Sequence, residues 1–173
     1  MLLVRPSLPD DVPAIAAIYA VHVLTGTASF ETEAPGVTEM NRRRDAVLAN
    51  GLPYLVAELD GNVVGYAYAG KYHARPAYRF TTENSIYVDA SAHGKGVGKA
   101  LLTRLITECE ALGLRQMMAV IGDSGNAGSV GLHKSMGFAH VGITKNVGFK
   151  HGRWLDVVFM QRALGDGAET PPA

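Results

Sequence analysis

Tyr87-Val88-Asp89-Ala90-Ser91-Ala92-His93-Gly94-Lys95-Gly96-Val97-Gly98-Lys99 joins a strand-forming run to a helix through three alternating glycines. Successive backbone N–H groups in such a turn can converge on one anion, and the helix N-terminus adds its partial positive charge. The stretch therefore predicts a strand, an anion-binding loop and a helix, with Val88 to Lys99 around a phosphate. A nucleoside-triphosphate loop ending at Gly98-Lys99 needs glycine at position 93 and Ser or Thr at position 100, where the chain has His93 and Ala100. A dinucleotide fingerprint fails in both registers: Lys99 or Leu101 falls where the third glycine belongs. A glycine-rich helix entry without a ligand is the remaining alternative.

Downstream, Val97, Leu101, Leu105, Cys109 and Leu112 recur at helical spacing, so the helix runs from about Gly96 to Leu112. Gln116 to Ile121 then reads as a buried strand and Asn126 to Met136 as a short helix. Phe138 to Gly148 and Trp154 to Gln161 form a β pair around His151-Gly152. Upstream, Asn84 to Val88 is a strand. Tyr54 to Leu59 and Val63 to Tyr72 are strands joined by Asp60-Gly61-Asn62, a hairpin signal. A helix over Val37 to Ala49 places Arg42 to Arg44 on a solvated face. Val12, Ile15, Ala16, Ile18 and Tyr19 mark another helix behind a short strand, Leu2 to Arg5. Hairpins at both ends, with two strand–helix units between them, predict an α/β (α+β) fold with a mostly antiparallel mixed sheet flanked by helices.

The 173 residues, 47% of them hydrophobic, suit one domain with a real core. That domain is expected over 1–164, with a small, polar, Pro-rich tail at 165–173 that lacks order. Sixteen basic residues balance sixteen acidic ones, so no net field favours nucleic acid or an anionic membrane. No stretch approaches the roughly 20 apolar residues of a membrane span, and residues 1–11 lack the apolar centre of a signal peptide. Cys109 is the only cysteine, which precludes an internal disulfide and fits a reducing cytoplasm. The six histidines lack metal-ligand spacing, so no metal is expected.

The loop register His93, Gly96, Gly98, together with Asn126, Ser129, His133 and Met136-Gly137-Phe138, resembles the GNAT acetyltransferase superfamily. The usual first loop residue is Gln or Arg, and His93 departs from it. Ala28 to Glu33, Arg75 with Tyr78, Thr82-Glu83-Asn84, Val120-Ile121-Gly122 and Gly148 to Trp154 are similar to that superfamily's phosphinothricin and methionine sulfoximine acetyltransferase branch, and the match runs from about residue 3 to 162. The resemblance implies the GNAT fold and acetyl-CoA as co-substrate. Val88, Asp89, Ala90, His93, Gly94, Lys95, Gly96, Val97, Gly98 and Lys99 would surround its pyrophosphate, while Asn126 and Ser129 position its pantetheine arm.

Acyl transfer to an amine needs a base, a polarised carbonyl and a proton for the departing thiolate. The resemblance points to Glu83 as base, against an ordinary charge at a strand end. The Val88 amide would polarise the carbonyl, and His133 would donate the proton, against a helix histidine satisfied by a local carbonyl. The guanidinium fork of Arg75, near Tyr78, suits a carboxylate or phosphinate. Phe30 and Glu31 form a further substrate wall, with Lys150 and His151 at its mouth or else simply in a turn. The acceptor implied is a small amino-acid analogue. A different amine acceptor, or a non-catalytic acyl-CoA sensor, remains the alternative. Trp154 and its strand belong either to the core or to a homodimer interface of the kind common in this branch.

Overall fold

A computed structural model describes all 173 residues. The chain order is β1 (Leu2–Pro6), α1 (Val12–Thr25), α2 (Val37–Ala49), β2 (Tyr54–Leu59), β3 (Asn62–Lys71), β4 (Thr81–Val88), α3 (Val97–Ala111), β5 (Gln116–Gly122), α4 (Ala127–Ser135), β6 (Ala139–Lys150) and β7 (Arg153–Ala163). The strands form one seven-stranded sheet in the order β1-β2-β3-β4-β5-β7-β6. Only β4 and β5 pair in parallel, because α3 carries the chain back to the same edge between them. The β2–β3 hairpin turns where expected, with φ of 52° at Asp60 and 83° at Gly61, the two positive values of a tight hairpin turn. No helix is long and apolar enough to cross a membrane.

The period-two alternation of the strands divides the core in two. Leu55, Ala57, Ala67 and Ala69 face α3, where Val97, Leu101, Leu105 and Cys109 are buried as the spacing predicts. Tyr54, Val56 and Tyr66 face the other way, against Ile15, Ile18 and Tyr19 of α1 and Met40 of α2.

Several expectations need correction. Leu112 is 54% exposed, because it caps α3 one residue beyond the last turn that packs on the sheet; Leu102 and Ile106 widen the buried stripe instead. Strand β4 begins at Thr81 rather than Asn84, since Thr81 and Thr82 pair with Gln116 and Met117 of β5, a long-range contact that local sequence does not announce. Arg44 is not solvated but 6% exposed. Three consecutive helical residues sit about 100° apart around the axis and cannot share one face. Arg44 turns inward and donates from Nε to Ser7 Oγ at 2.8 Å and from an Nη to Ser7 O at 2.7 Å, tying α2 to the end of β1. Arg44→Met should therefore cost about 3 kcal/mol by stripping the donors from these buried acceptors. Thermal denaturation would register this as a fall in Tm of roughly 6–12 °C. An unchanged Tm would show that water replaces the guanidinium without loss.

Residues 165–170, expected as part of a free tail, form turns; the Arg115 guanidinium donates to Gly167 O at 3.2 Å and to Thr170 Oγ1 at 3.1 Å. Trp154 is 62% exposed and meets Phe149 edge-on at 5.2 Å, so it is no part of the core.

Candidate active site

The parallel ladder between β4 and β5 ends at Asn84 opposite Ala119, and beyond it the two strands splay. The Asp89 amide donates to Val64 O at 2.8 Å, which sets the alternation along β4. Odd-numbered residues direct their amides to β3, so those of Ile86 and Val88 face the gap left by β5. The Val88 carbonyl is held by two imidazoles, His22 Nε2 donating at 3.0 Å and His93 Nε2 at 3.2 Å. The splay opens a narrow slot of about 60 Å3 lined by Ile86, Tyr87, Ile121 and His133 among others. Ala28, Ile86, Asn126, Ser129 and His133 also line a much larger cavity of about 660 Å3.

The glycine loop forms the far wall of that cavity. Gly94 and Gly96 have φ of 74° and 78°, a left-handed conformation that side chains resist. The amides of Gly94, Gly96, Val97, Gly98 and Lys99 have no backbone acceptor, leaving five donors around the α3 N-terminus. Val88, His93, Gly94, Gly96, Val97, Gly98 and Lys99 line the cavity, as do Asn126 and Ser129. Asp89, Ala90 and Lys95, expected around the same ligand, do not line it; the Asp89 carboxylate turns back to accept from the Ser91 amide at 2.8 Å. The structure adds His22, Thr27, Asp123 and Leu132 to the lining. His22 has no motif to betray it, since α1 reaches the loop only through sheet order.

Glu83 is half-buried in the third position of β4, between Gly70 and Met118 in register. It is not at the start of the strand. Its carboxylate makes no hydrogen bond or ion pair, and burial alone pushes its pKa above the ordinary carboxylate range. The two catalytic candidates occupy opposite faces of β4, because Asn84, which binds His133, alternates with Glu83. His133 is buried: Nδ1 donates to Ser129 O at 2.8 Å and Nε2 lies 3.0 Å from Asn84 Oδ1. The Asn84 amide is oriented by its own donation to Met118 O at 3.1 Å. Burial pulls the imidazole pKa down, and the Ser129 carbonyl pulls it up less strongly. Asn126 caps α4 by accepting from the Ser129 amide at 3.2 Å, which leaves its amide NH2 for the cavity.

The expected substrate residues separate into two groups. The first gathers around the α1–α2 loop. Glu31 accepts from Arg43 and from the Tyr19 hydroxyl at 2.7 Å; the guanidinium, then the hydroxyl, hold its carboxyl below the usual range against burial. Lys150 is 5% exposed and donates from Nζ to Ser29 O at 2.7 Å, while burial lowers its pKa. His151, in the β6–β7 turn with φ of 52°, donates to Gly26 O at 3.1 Å. Phe30 packs so tightly on Gly122 and Gly148 that a Cβ on Gly148 would lie 2.4 Å from its ring. Asp123 completes the clamp, accepting from Thr27 at 2.8 Å and from Arg153 at 2.7 Å. Lys150 and His151 thus pin residues 26–29 in place.

The second group, Arg75 and Tyr78, is solvent-exposed in the β3–β4 connection. Tyr78 packs edge-on against Tyr72 and His73, and Arg75 forms no ion pair. The structure does not bring either residue against the cavity.

Comparison with known proteins matches the Acetyltransferase (GNAT) family over residues 15–138. The chain is 56% identical over 169 residues to a phosphinothricin N-acetyltransferase of Alcaligenes faecalis, covering 98% of this chain and 86% of that one. It is 41% identical over 169 residues to an L-methionine sulfoximine/L-methionine sulfone acetyltransferase of Pseudomonas paraeruginosa, covering 97% and 98%. Among solved structures, a GNAT superfamily phosphinothricin acetyltransferase from Sinorhizobium meliloti in complex with AcCoA superposes with a TM-score of 0.97 at 47% identity, covering 99% and 93%.

Proposed function

The chain belongs to the GNAT acetyltransferase family, and from that membership we propose that it transfers the acetyl group of acetyl-CoA to the α-amino group of small amino-acid analogues of the phosphinothricin and methionine sulfoximine kind. The observation that carries the reading is the unpartnered, half-buried Glu83 carboxylate on the strand whose far end splays open beside five free amides.

The donor set fits the co-substrate. The amides of Gly94, Gly96, Val97, Gly98 and Lys99 at a helix N-terminus suit a pyrophosphate, and the 660 Å3 cavity leads from them to the slot between β4 and β5. Acetyl-CoA supplies an activated acyl group as a thioester. Asn126 and Ser129 would position the arm that carries it. The Val88 amide, facing the gap with its carbonyl fixed by His22 and His93, donates where negative charge develops on the acyl oxygen. Glu83 takes a proton from the acceptor's ammonium, directly or through one water, so that the neutral amine can attack. His133 donates one N–H to Ser129 O through Nδ1, so it is the imidazolium, protonated on both nitrogens, that gives its Nε2 proton to the departing sulfur and releases Asn84.

Phe30, packed on Gly122 and Gly148, and Glu31, held by Arg43 and Tyr19, support a wall for the acceptor beside the segment that Lys150 and His151 pin. Arg75, free of ion pairs, is available for its carboxylate or phosphinate. The exposed apolar side chains Val141, Ile143, Val147, Phe149 and Trp154 on β6 and β7 support a homodimer. Balanced charge and a buried, unpaired Cys109 support a cytoplasmic enzyme without a nucleic-acid or membrane partner.

The test is thiol release from acetyl-CoA with phosphinothricin, methionine sulfoximine and methionine sulfone offered separately beside a polyamine and an aminoglycoside. Turnover with the amino-acid analogues alone is expected. Turnover only with the cationic amines would overturn the acceptor class, and acetyl-CoA binding without turnover of any amine would point to a sensor.

A further inference from the structure

Beneath α2, on the opposite face of the sheet from α3, lies a cavity of about 240 Å3. Its floor is a row of tyrosine rings: Tyr54 and Tyr66 lie 5.9 Å apart and 3° from parallel, and Tyr54 and Tyr68 lie 5.0 Å apart at 10°. Met40, Val47 and Tyr19 form the walls, and Arg42 and Arg43 stand at the mouth. Tyr54 is 2% exposed and Tyr66 1%, yet neither hydroxyl has a hydrogen-bond partner in the protein. No buried side-chain oxygen in the molecule is both sealed from solvent and unsatisfied, so these two hydroxyls open into the cavity.

Solvent reaches the two hydroxyls, so water is their default partner, and a ligand that displaces it from between the rings gains most if it replaces those hydrogen bonds. Room and lining narrow the choice of occupant. An apolar cavity of about 150 Å3 accepts benzene, so this one has space for an aromatic ring with a polar substituent. Flat phenol faces favour a ring by offset stacking. Charge is disfavoured: Arg42 and Arg43 are already paired with Glu39, and Arg43 also with Glu31. Burial keeps both phenols protonated, so they can donate to an oxygen or accept from a hydroxyl.

We propose that this tyrosine-lined cavity is a second small-molecule site, separate from the acetyl-CoA cleft, for a compact neutral aromatic molecule bearing one hydrogen-bonding oxygen, such as a phenol or aryl alcohol. Its walls also connect it to the loop over the active site. Tyr19 lines the cavity and its hydroxyl lies 2.8 Å from Ser29 Oγ, while Arg43 at the mouth holds Glu31. An occupant that shifts Tyr19 or Arg43 therefore moves the segment that Lys150 pins.

The site is tested without turnover, by ligand-observed NMR and calorimetry with 4-methylphenol and toluene as probes on the intact protein. Binding of 4-methylphenol is expected with or without saturating acetyl-CoA and phosphinothricin, and about fivefold to tenfold tighter than toluene, one hydrogen bond's worth. Val47→Trp should abolish it by filling the cavity. The double variant Tyr54→Phe/Tyr66→Phe, which keeps the rings, should make the two probes bind alike. No binding of either probe at millimolar concentration would mean that only water fills the cavity. Displacement by phosphinothricin would make the cavity an arm of the acceptor site. Either result overturns the proposal, as does tight binding that survives the double variant.

Discussion

Glu83→Gln should lower kcat/KM for the acceptor by about 100-fold or more, the usual contribution of a positioned general base, while acetyl-CoA binds as before. Glutamine keeps the volume and the polarity but cannot take the ammonium proton. Burial raises the carboxyl pKa, so wild-type activity should fall as pH drops through a value above the ordinary carboxylate range. That acid limb should vanish in the variant. Stability should move the other way. A carboxyl that binds its proton more tightly folded than unfolded contributes most stability at acid pH and loses it as pH rises through the folded pKa. Replacing it should therefore raise Tm at pH 8, with the gain disappearing near pH 4. A basic limb in the same profile that is lost on His133→Gln would identify the proton donor; its position should be lower than for a free imidazole, because burial disfavours the charged form. A Glu83→Gln enzyme with unchanged turnover across pH would reassign the base.

Much of this arrangement is legible in local sequence, and the exceptions share a cause. The hairpin at Asp60-Gly61 and the glycines before α3 declare themselves because positive φ demands particular residues at particular steps. The buried faces of α1 and α3 follow from apolar spacing. His22, Thr27 and Asp123 carry no such signal: they meet the cavity only after β4 and β5 are paired and β7 is inserted beside β5. Lys150, given by resemblance as a residue of the substrate mouth or else of a turn, has its amine under Ser29, a contact that the twelve residues of β6 set and no local pattern announces. The tyrosine floor was equally hidden. Tyr54, Tyr66 and Tyr68 are plain strand residues until antiparallel register sets Tyr54 opposite Tyr68.

Gly98→Val carries the other large effect, and it separates space from backbone strain at the anion site. Gly98 is the second residue of α3 and has ordinary helical backbone, so valine is tolerated there by conformation. Its Cβ would come 3.2 Å from Leu132 Cδ2, the end of a flexible side chain that can give way. The γ-methyls would then stand in the cavity over the amides that receive the pyrophosphate. Losing one or two charge-assisted hydrogen bonds costs about 3 kcal/mol, so acetyl-CoA affinity should fall roughly 100-fold with Tm nearly unchanged. Gly96→Val should behave differently. At φ of 78° a β-branched residue strains the backbone by about 1–3 kcal/mol, and Tm should fall together with affinity. Calorimetric titration with acetyl-CoA beside thermal denaturation of both variants reads the two effects. Unaltered affinity in Gly98→Val would mean that the pyrophosphate does not lie on the α3 amides.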